Sequence, residues 1–421
     1  MAFPLALGLA GCYHRSDTYC ALHPEDERCP GDDGGLRCTN NQTCEVTATP
    51  VCDVGSMTCV ECLPNQADAC SGTTPACGDD HECRGCVAHA ECASSGVCLP
   101  DGSCADEGAV AYVDPGGTDN SNCTKATPCT KVDKALATTR PYLKLHGSID
   151  EAVTVDGGRV VTMLGDPAAQ LTRSSGTGAI LTIRDDGTSV SIFDLTIRDA
   201  PNSPSGFGIV VPTASGSPSV ALNRVLLTNN PAGGITSSGG TLKVTQSTIS
   251  DNPGGGLSIT TTQFDLTNNL IAGNGGPSTA FGGVLINQTS SGMRTFDFNT
   301  VTNNAAAAGS STGVVCSLVT QAVTFSNNII YENQTGGGRT QVGGNNCAWT
   351  YSDIGPDTVT GMGNMNLDPM FVNPADNNFH LQPGSPAKDA ADPSATLATD
   401  IDEDARPVGS ARDMGSDEIT P

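Results

Sequence analysis

Ile197, Leu227, Ile249, Ile271, Val301 and Ile330 each close a short run of strand-forming residues, and five of the six carry an asparagine three residues later. Those asparagines are Asn230, Asn252, Asn274, Asn304 and Asn333, and the anchors are spaced 30, 22, 22, 30 and 29 residues apart. A period of this length, made of strands and Gly/Asn turns without a helical pattern, describes one turn of a solenoid. Each turn can bond only to the turns above and below it. The expected fold is all-β, a parallel β-helix.

The residues ahead of each anchor supply the strand. Val190, Val220, Leu242, Phe264, Arg294 and Val323 stand seven before it, and Ile192, Leu222, Val244, Leu266, Phe296 and Phe325 five before it. Between them lie Ser191, Ala221, Lys243, Asp265, Thr295 and Thr324. This two-residue period marks one buried face. Arg294 breaks the apolar column and predicts a bulge or a slipped register. Asparagines stacked at about 4.8 Å can form an amide ladder, and asparagine tolerates the left-handed backbone of a tight turn. The column reads first as structural and only secondarily as a binding feature. The loops after the anchors are short at Asn230–Gly234 and Asn252–Gly256. They are long at Ala200–Gly208, Asn274–Gly283 and Asn304–Gly313, which predicts a notch on one edge.

The net charge of −25 is uneven: residues 1–107 hold 17 acidic and 4 basic side chains, residues 367–421 hold 11 and 3, and the middle is nearly balanced. Such a surface repels polyanions and excludes a nucleic-acid role. An acidic polysaccharide would need a bridging cation.

Nineteen cysteines set the compartment. Leu9-Ala10-Gly11-Cys12 resembles the lipobox of bacterial lipoproteins, in which the cysteine is lipidated and becomes the new N-terminus. The segment before it lacks a basic region, so the true start is expected upstream. Setting Cys12 aside leaves 18, an even set for disulfides. The expectation is a secreted chain, lipid-anchored at the cell envelope and monomeric. Cys59/Cys62 and Cys83/Cys86 have zinc-like spacing, but evenly spread neighbours in an oxidising space favour disulfides. Cys44, Cys52, Cys59 and Cys62 are echoed by Cys70, Cys77, Cys83 and Cys86, and partly by Cys92, Cys98 and Cys104. With few large apolar residues, bridges must replace a core there. Cys316, 15 residues after Val301, and Cys347, 17 after Ile330, fall on neighbouring turns with the same parity and predict a turn-to-turn staple, and Cys123 with Cys129 a loop staple.

The domain order expected is a truncated signal segment over 1–12, a cysteine-rich stalk over 13–108, the β-helix over 109–366 and a closing segment over 367–421. At the β-helix opening, Val132, Ala135 and Leu136 predict the buried face of a short capping helix, with Thr130 as its N-cap. The chain end carries Asp368, Pro369, Phe371, Phe379, Leu381, Ser385, Pro386, Ala387, Asp389, Asp400, Asp402, Arg406, Pro407, Asp413, Gly415 and Glu418. On these residues it resembles the "choice-of-anchor Q" tail of secreted bacterial right-handed β-helix proteins in the pectin-lyase-like superfamily. The resemblance covers roughly 110–421 and implies a right-handed coil. Two glycines usual in that tail are replaced here by Ala391 and Glu403, so local turns are expected to differ.

Polysaccharide lyases of this fold combine calcium-binding aspartates with a basic residue. Lys243, Asp265 and Asp297 are the nearest match, and they equally describe a surface salt-bridge ladder. Asp400, Asp402 and Asp404, with Glu403, have spacing that suits calcium, with Arg406 as the competing ion-pair partner. No paired carboxylates of a hydrolase appear on one strand of the repeats, and all six histidines, His380 among them, lie outside them. Trp349, Tyr331 and Tyr351 offer a small aromatic patch for a sugar. The favoured reading is a surface lipoprotein whose solenoid edge binds a polysaccharide or a partner protein without catalysis and without a required cofactor. The alternatives are a calcium-dependent polysaccharide lyase and a structural spacer or adhesin.

Overall fold

The structure, a computed structural model, describes residues 38, 40–41, 44, 49–64, 69–212, 216–287, 291–310, 312–335 and 340–420. It divides into Met1–Glu107 and Gly108–Pro421. Cys12, the lipidation candidate, lies outside the described residues, as do Cys20 and Cys29. Among the described residues no helix is long and apolar enough to cross a membrane.

In the first unit six disulfides form three interlocked pairs: Cys38–Cys52 with Cys44–Cys59, Cys62–Cys77 with Cys70–Cys83, and Cys86–Cys98 with Cys92–Cys104. First joins third and second joins fourth in each module, with a step of 24 residues from Cys38 to Cys62 to Cys86. The repeat therefore starts one cysteine earlier than the echo from Cys44 implied. The second cysteine of each C-x-x-C pair opens the next module, which leaves neither pair free to hold zinc. Short antiparallel hairpins, Val51–Asp53 with Thr58–Val60 and Ala76–Cys77 with Cys83–Arg84, fill the first two modules.

The second unit is a solenoid of three parallel sheets. Each full coil gives one strand to each, as Ser189–Phe193 does to sheet I, Thr196–Arg198 to sheet II and Phe207–Val211 to sheet III. The sheets hold ten, nine and eight strands. Register is kept coil to coil, so Val220, Leu242 and Phe264 pair in line and the anchors Leu227, Ile249, Ile271, Val301 and Ile330 stack on the axis. Toward the C-terminal end the core turns aromatic: Phe296, Phe325 and the buried Trp349 succeed one another with centroids 5.5 and 5.3 Å apart. Arg294 stays in register with Phe264 instead of slipping. Its guanidinium reaches the carbonyl of Gln321, and pairing to the next coil is reduced to Asp297 with Ser326.

Left-handed residues turn the corners. Between sheets I and II stand Asp194, Arg224, Gln246, Asn268, Phe298, Asn327 and Tyr351; between sheets II and III stand Asp199, Asn229, Asp251, Gly273, Asn303 and Glu332. The ladder asparagines are not the left-handed ones, contrary to the reading from turn propensity. The strained backbone falls one residue earlier, which lets the following amide turn inward. A glycine then opens most sheet III strands because the next coil is too close: a Cβ at Gly256 would lie 2.5 Å from the carbonyl of Gly283.

The helix Val132–Ala137 covers the open first coil with Val132 and Ala135. Its N-terminus is not capped by Thr130, whose own N–H and hydroxyl go to Asp119. Glu151 does this work from the next coil, accepting from the backbone N–H of Val132 at 2.7 Å and of Asp133 at 3.2 Å. At the other end Asn364 and Met365 pair with Ser352 and Ile354 and complete the last coil. The closing segment does not stop on that coil. It runs back along the flank, meets Asn327, Asn268, Gln246 and Arg224 in turn, and then returns to Thr300 through Ser416. Phe371, Phe379, Leu381, Ala387 and Met414 pack on the outward residues Ala272, Phe298 and Ile329 as a second hydrophobic cluster.

Candidate binding cleft

The outer face of sheet II is where the tail can bury apolar area, because Ala272, Thr302 and Ile329 replace the charged residues expected on an exposed strand. Where the tail departs from that face it leaves a cleft of about 310 Å³. Thr302, Tyr331 and Glu332 line it from the coils, and Asp368, Phe371 and Gln382 from the closing segment. The hairpin Phe371–Asn373 with Asn378–Leu381 forms the tail side, stiffened by the edge-on contact of Phe371 and Phe379 at 5.4 Å. Gln382 is fixed by its side-chain donation to the carbonyl of Phe371 (2.8 Å), and Asp368 accepts the N–H of Met370 at 2.8 Å. Thr302 is 1% exposed and its hydroxyl has no hydrogen-bond partner. Asp353, also on the outward face of sheet II, accepts the N–H of Leu367, while its other oxygen is buried without a partner. Burial, with the Asp368 carboxylate nearby, pushes its pKa up to about 7.

The candidates from the sequence are dispersed. Lys243 faces Asp265 at 3.6 Å, and Asp265 also accepts from the hydroxyl of Thr267. Asp297 is turned under the closing segment, where it accepts from Asn327 Nδ2 at 2.8 Å and burial raises its pKa to about 6. The three therefore share no open face. Asp400 is fully buried, and its carboxylate takes the N–H groups of Asp402, Asp404 and Glu418. Asp402 turns instead to His380 Nε2 at 2.8 Å, Glu403 to Arg224 at 3.0 Å, and Asp404 is exposed. The run does not converge as one ligand set here, since a tight turn built on Asp400 splays its other carboxylates apart. Arg406 is buried and makes its ion pair with Glu418 at 3.5 Å, donating also to the carbonyls of Asp413 and Gly415, while its charge acts on Asp400 only at longer range. Glu403 keeps the left-handed backbone (φ 71°) that a glycine would have supplied.

His380, Asp402 and Asp417 bring three ligand-type atoms within 4.8 Å of one another, a grouping absent from the sequence reading. Asp417 accepts the N–H of Leu381, and burial raises its pKa to about 6. The hydrogen bond to Asp402 raises that of His380.

The disulfides Cys123–Cys129 and Cys316–Cys347 are formed. Along the asparagine column Asn230, Asn252, Asn274 and Asn304 each donate Nδ2 to the Oδ1 of the next, ending on Asn333 and then Gln341 Oε1, all at 2.8–3.0 Å. A second ladder, not foreseen, joins Asn269, Asn299 and Asn328 two residues before the anchors, at 3.0 and 3.2 Å. Its signal was present as asparagine in three successive repeats at one fixed offset. The expected notch is occupied: Phe207 lies over Gly233 and Phe281 over Gly255, where a Cβ would come within 3.1 and 2.6 Å of the rings. Trp349 is buried in the core, whereas Tyr331 and Tyr351 belong to the outer cluster, so the three form no common patch.

Residues 179–352 match the family described as the right handed beta helix region. The solenoid is a right-handed parallel β-helix. A crystal structure of pectate lyase Pel9A is similar over 74% of this chain and 96% of its own, with 13% sequence identity and a TM-score of 0.39. Likeness of that degree says nothing about substrate. No curated protein matches the chain.

Proposed function

We propose that this chain is an exported, lipid-anchored surface protein whose β-helix binds carbohydrate in the cleft between sheet II and the closing segment, without catalysis. The cleft itself carries the reading. At about 310 Å³ it lies at the small end of ligand sites, and it combines aromatic and apolar faces with fixed carboxylate and carboxamide groups, the mixture a polyhydroxylated ring requires. A lyase reading has less support, because Lys243 and Asp297 do not face a common opening and the Asp400 carboxylate holds backbone N–H groups.

Glycan-array screening followed by calorimetry tests the proposal. Binding of at least one oligosaccharide, lost in Tyr331→Ala and unaffected by Lys243→Ala, is the expected result. Ultraviolet-absorbing products from polyuronates, abolished by Lys243→Ala, would establish the lyase instead. No saccharide bound by the folded protein would leave a spacer or a protein-binding role. For the anchor, metabolic labelling with a fatty acid is expected to mark the chain and to fail for Cys12→Ser.

A further inference from the structure

We infer that His380, Asp402 and Asp417 form a zinc site that ties three stretches of the closing segment together. The inference does not depend on the carbohydrate reading. One ligand atom from each side chain lies within 4.8 Å of the other two. Zinc bonds of about 2.0–2.2 Å in a tetrahedron set ligand atoms about 3.4 Å apart. His380 Nε2 and Asp402 Oδ2 stand at 2.8 Å, so a small opening of two half-exposed side chains seats the ion. The third ligand is already fixed: Asp417 is buried and accepts the N–H of Leu381 at 2.7 Å.

The observation that calls for a cation comes from outside these three side chains. Asn378 Oδ1 faces both the backbone N–H of His380, at 3.2 Å, and its ring Nδ1, at 2.7 Å. Exchanging the amide oxygen for its nitrogen would set donor against donor at the backbone, so the oxygen stays and Nδ1 carries the proton. Nε2 then turns its lone pair toward the Asp402 carboxylate, a contact that only positive charge between them stabilises. A second proton would balance one carboxylate and leave the buried Asp417 uncompensated. A divalent ion on a neutral imidazole balances both. Fixing the far ring nitrogen in this way is how histidines are oriented as metal ligands. The donor set, one imidazole with two carboxylates, selects zinc over calcium or magnesium, which prefer oxygen alone.

Calorimetry with zinc chloride on the chelator-treated full chain tests the site. One zinc per chain is expected, with the melting temperature raised by a few degrees in zinc excess. His380→Gln keeps a donor toward Asp402 but is a poor zinc ligand. It and Asp402→Asn should each weaken binding by on the order of a hundredfold or more, and both should melt near the parent in chelator. Asn378→Ala removes no ligand and should cost about ten- to hundredfold, the value of a lost outer partner. Cobalt(II) should give tetrahedral visible absorption with the parent and not with His380→Gln. No zinc bound by the parent would leave an imidazolium–carboxylate ion pair in place of the site. Affinity unchanged in His380→Gln would put the ion elsewhere, and equal competition by calcium would make the imidazole irrelevant to it. Each of these three results overturns the inference.

Discussion

The guanidinium of Arg406 lies over the ring of Phe298, 4.9 Å from its centroid, and so joins the closing segment to a corner of the solenoid more than a hundred residues earlier in the chain. It also neutralises Glu418, which is itself buried and receives the N–H groups of Val408 and Asp413. Removing one partner of a buried pair strands the other, at about 3–5 kcal/mol. Arg406→Ala is expected to show that loss in urea denaturation, with hydrogen exchange rising first over residues 385–420. Arg406→Lys should rescue only part of it, because an ammonium group cannot reproduce the planar fork.

Asn274 is fully buried, and its amide serves five groups at once: the carbonyls of Ile249 and Ala272, Asn304 Oδ1 and, as acceptor, both nitrogens of Asn252. Asn274→Ala leaves several buried groups unpaired and should cost about 3 kcal/mol or more. Asn229→Gly, in the exposed left-handed position before the ladder, should be neutral within about 0.5 kcal/mol. Equal effects at the two positions in chemical denaturation would contradict the ladder's role.

Asp353 gives a pH dependence of defined sign. Its pKa in the folded chain, about 7, lies above that of an unfolded aspartate, so the native state retains a proton that the unfolded chain releases. The associated stability is complete below about pH 4 and is lost as the pH rises through 7, by at most about 4 kcal/mol. Asp353→Asn mimics the neutral acid. Its stability relative to the parent should therefore climb between pH 4 and 8, read from parallel denaturation curves.

Lys243 and Asp265 are 3.6 Å apart, with the lysine half exposed, which places the pair among surface ion pairs. Lys243→Ala should change stability by less than about 1 kcal/mol. Saccharide affinity should not change.

Calcium should matter little at the Asp400 turn, whose carboxylate already holds three N–H groups. Calorimetry with calcium is expected to give the same heats for the parent and for Asp404→Asn. A shift confined to the parent would restore a calcium site there.

The coils were readable from the sequence because their stabilising contacts repeat: the anchor, the alternating strand and the asparagine three residues on are local marks of a stacked geometry. Thr302, Glu332 and Asp368 could not be grouped that way. The cleft exists only because the tail doubles back, and no period in the chain encodes which coil Phe371 or Arg406 will meet. Asp400 shows the same limit at short range. Its spacing to Asp402 and Asp404 suited a cation, but the turn closes on backbone N–H groups instead. The turn at Glu403 was expected to differ for want of a glycine, yet the glutamate holds the same left-handed backbone and gains Arg224 as a partner.

Solenoids whose coils touch only their neighbours can lose one coil at a time from a free end. Here the tail is fastened to corners from Arg224 through Asn327, so that end cannot unravel stepwise while the fastening holds. Mechanical or thermal opening from the C-terminal side has to peel a flank-wide brace first, after which several coils are released together. A modular stack is thereby made to yield as one block over that region.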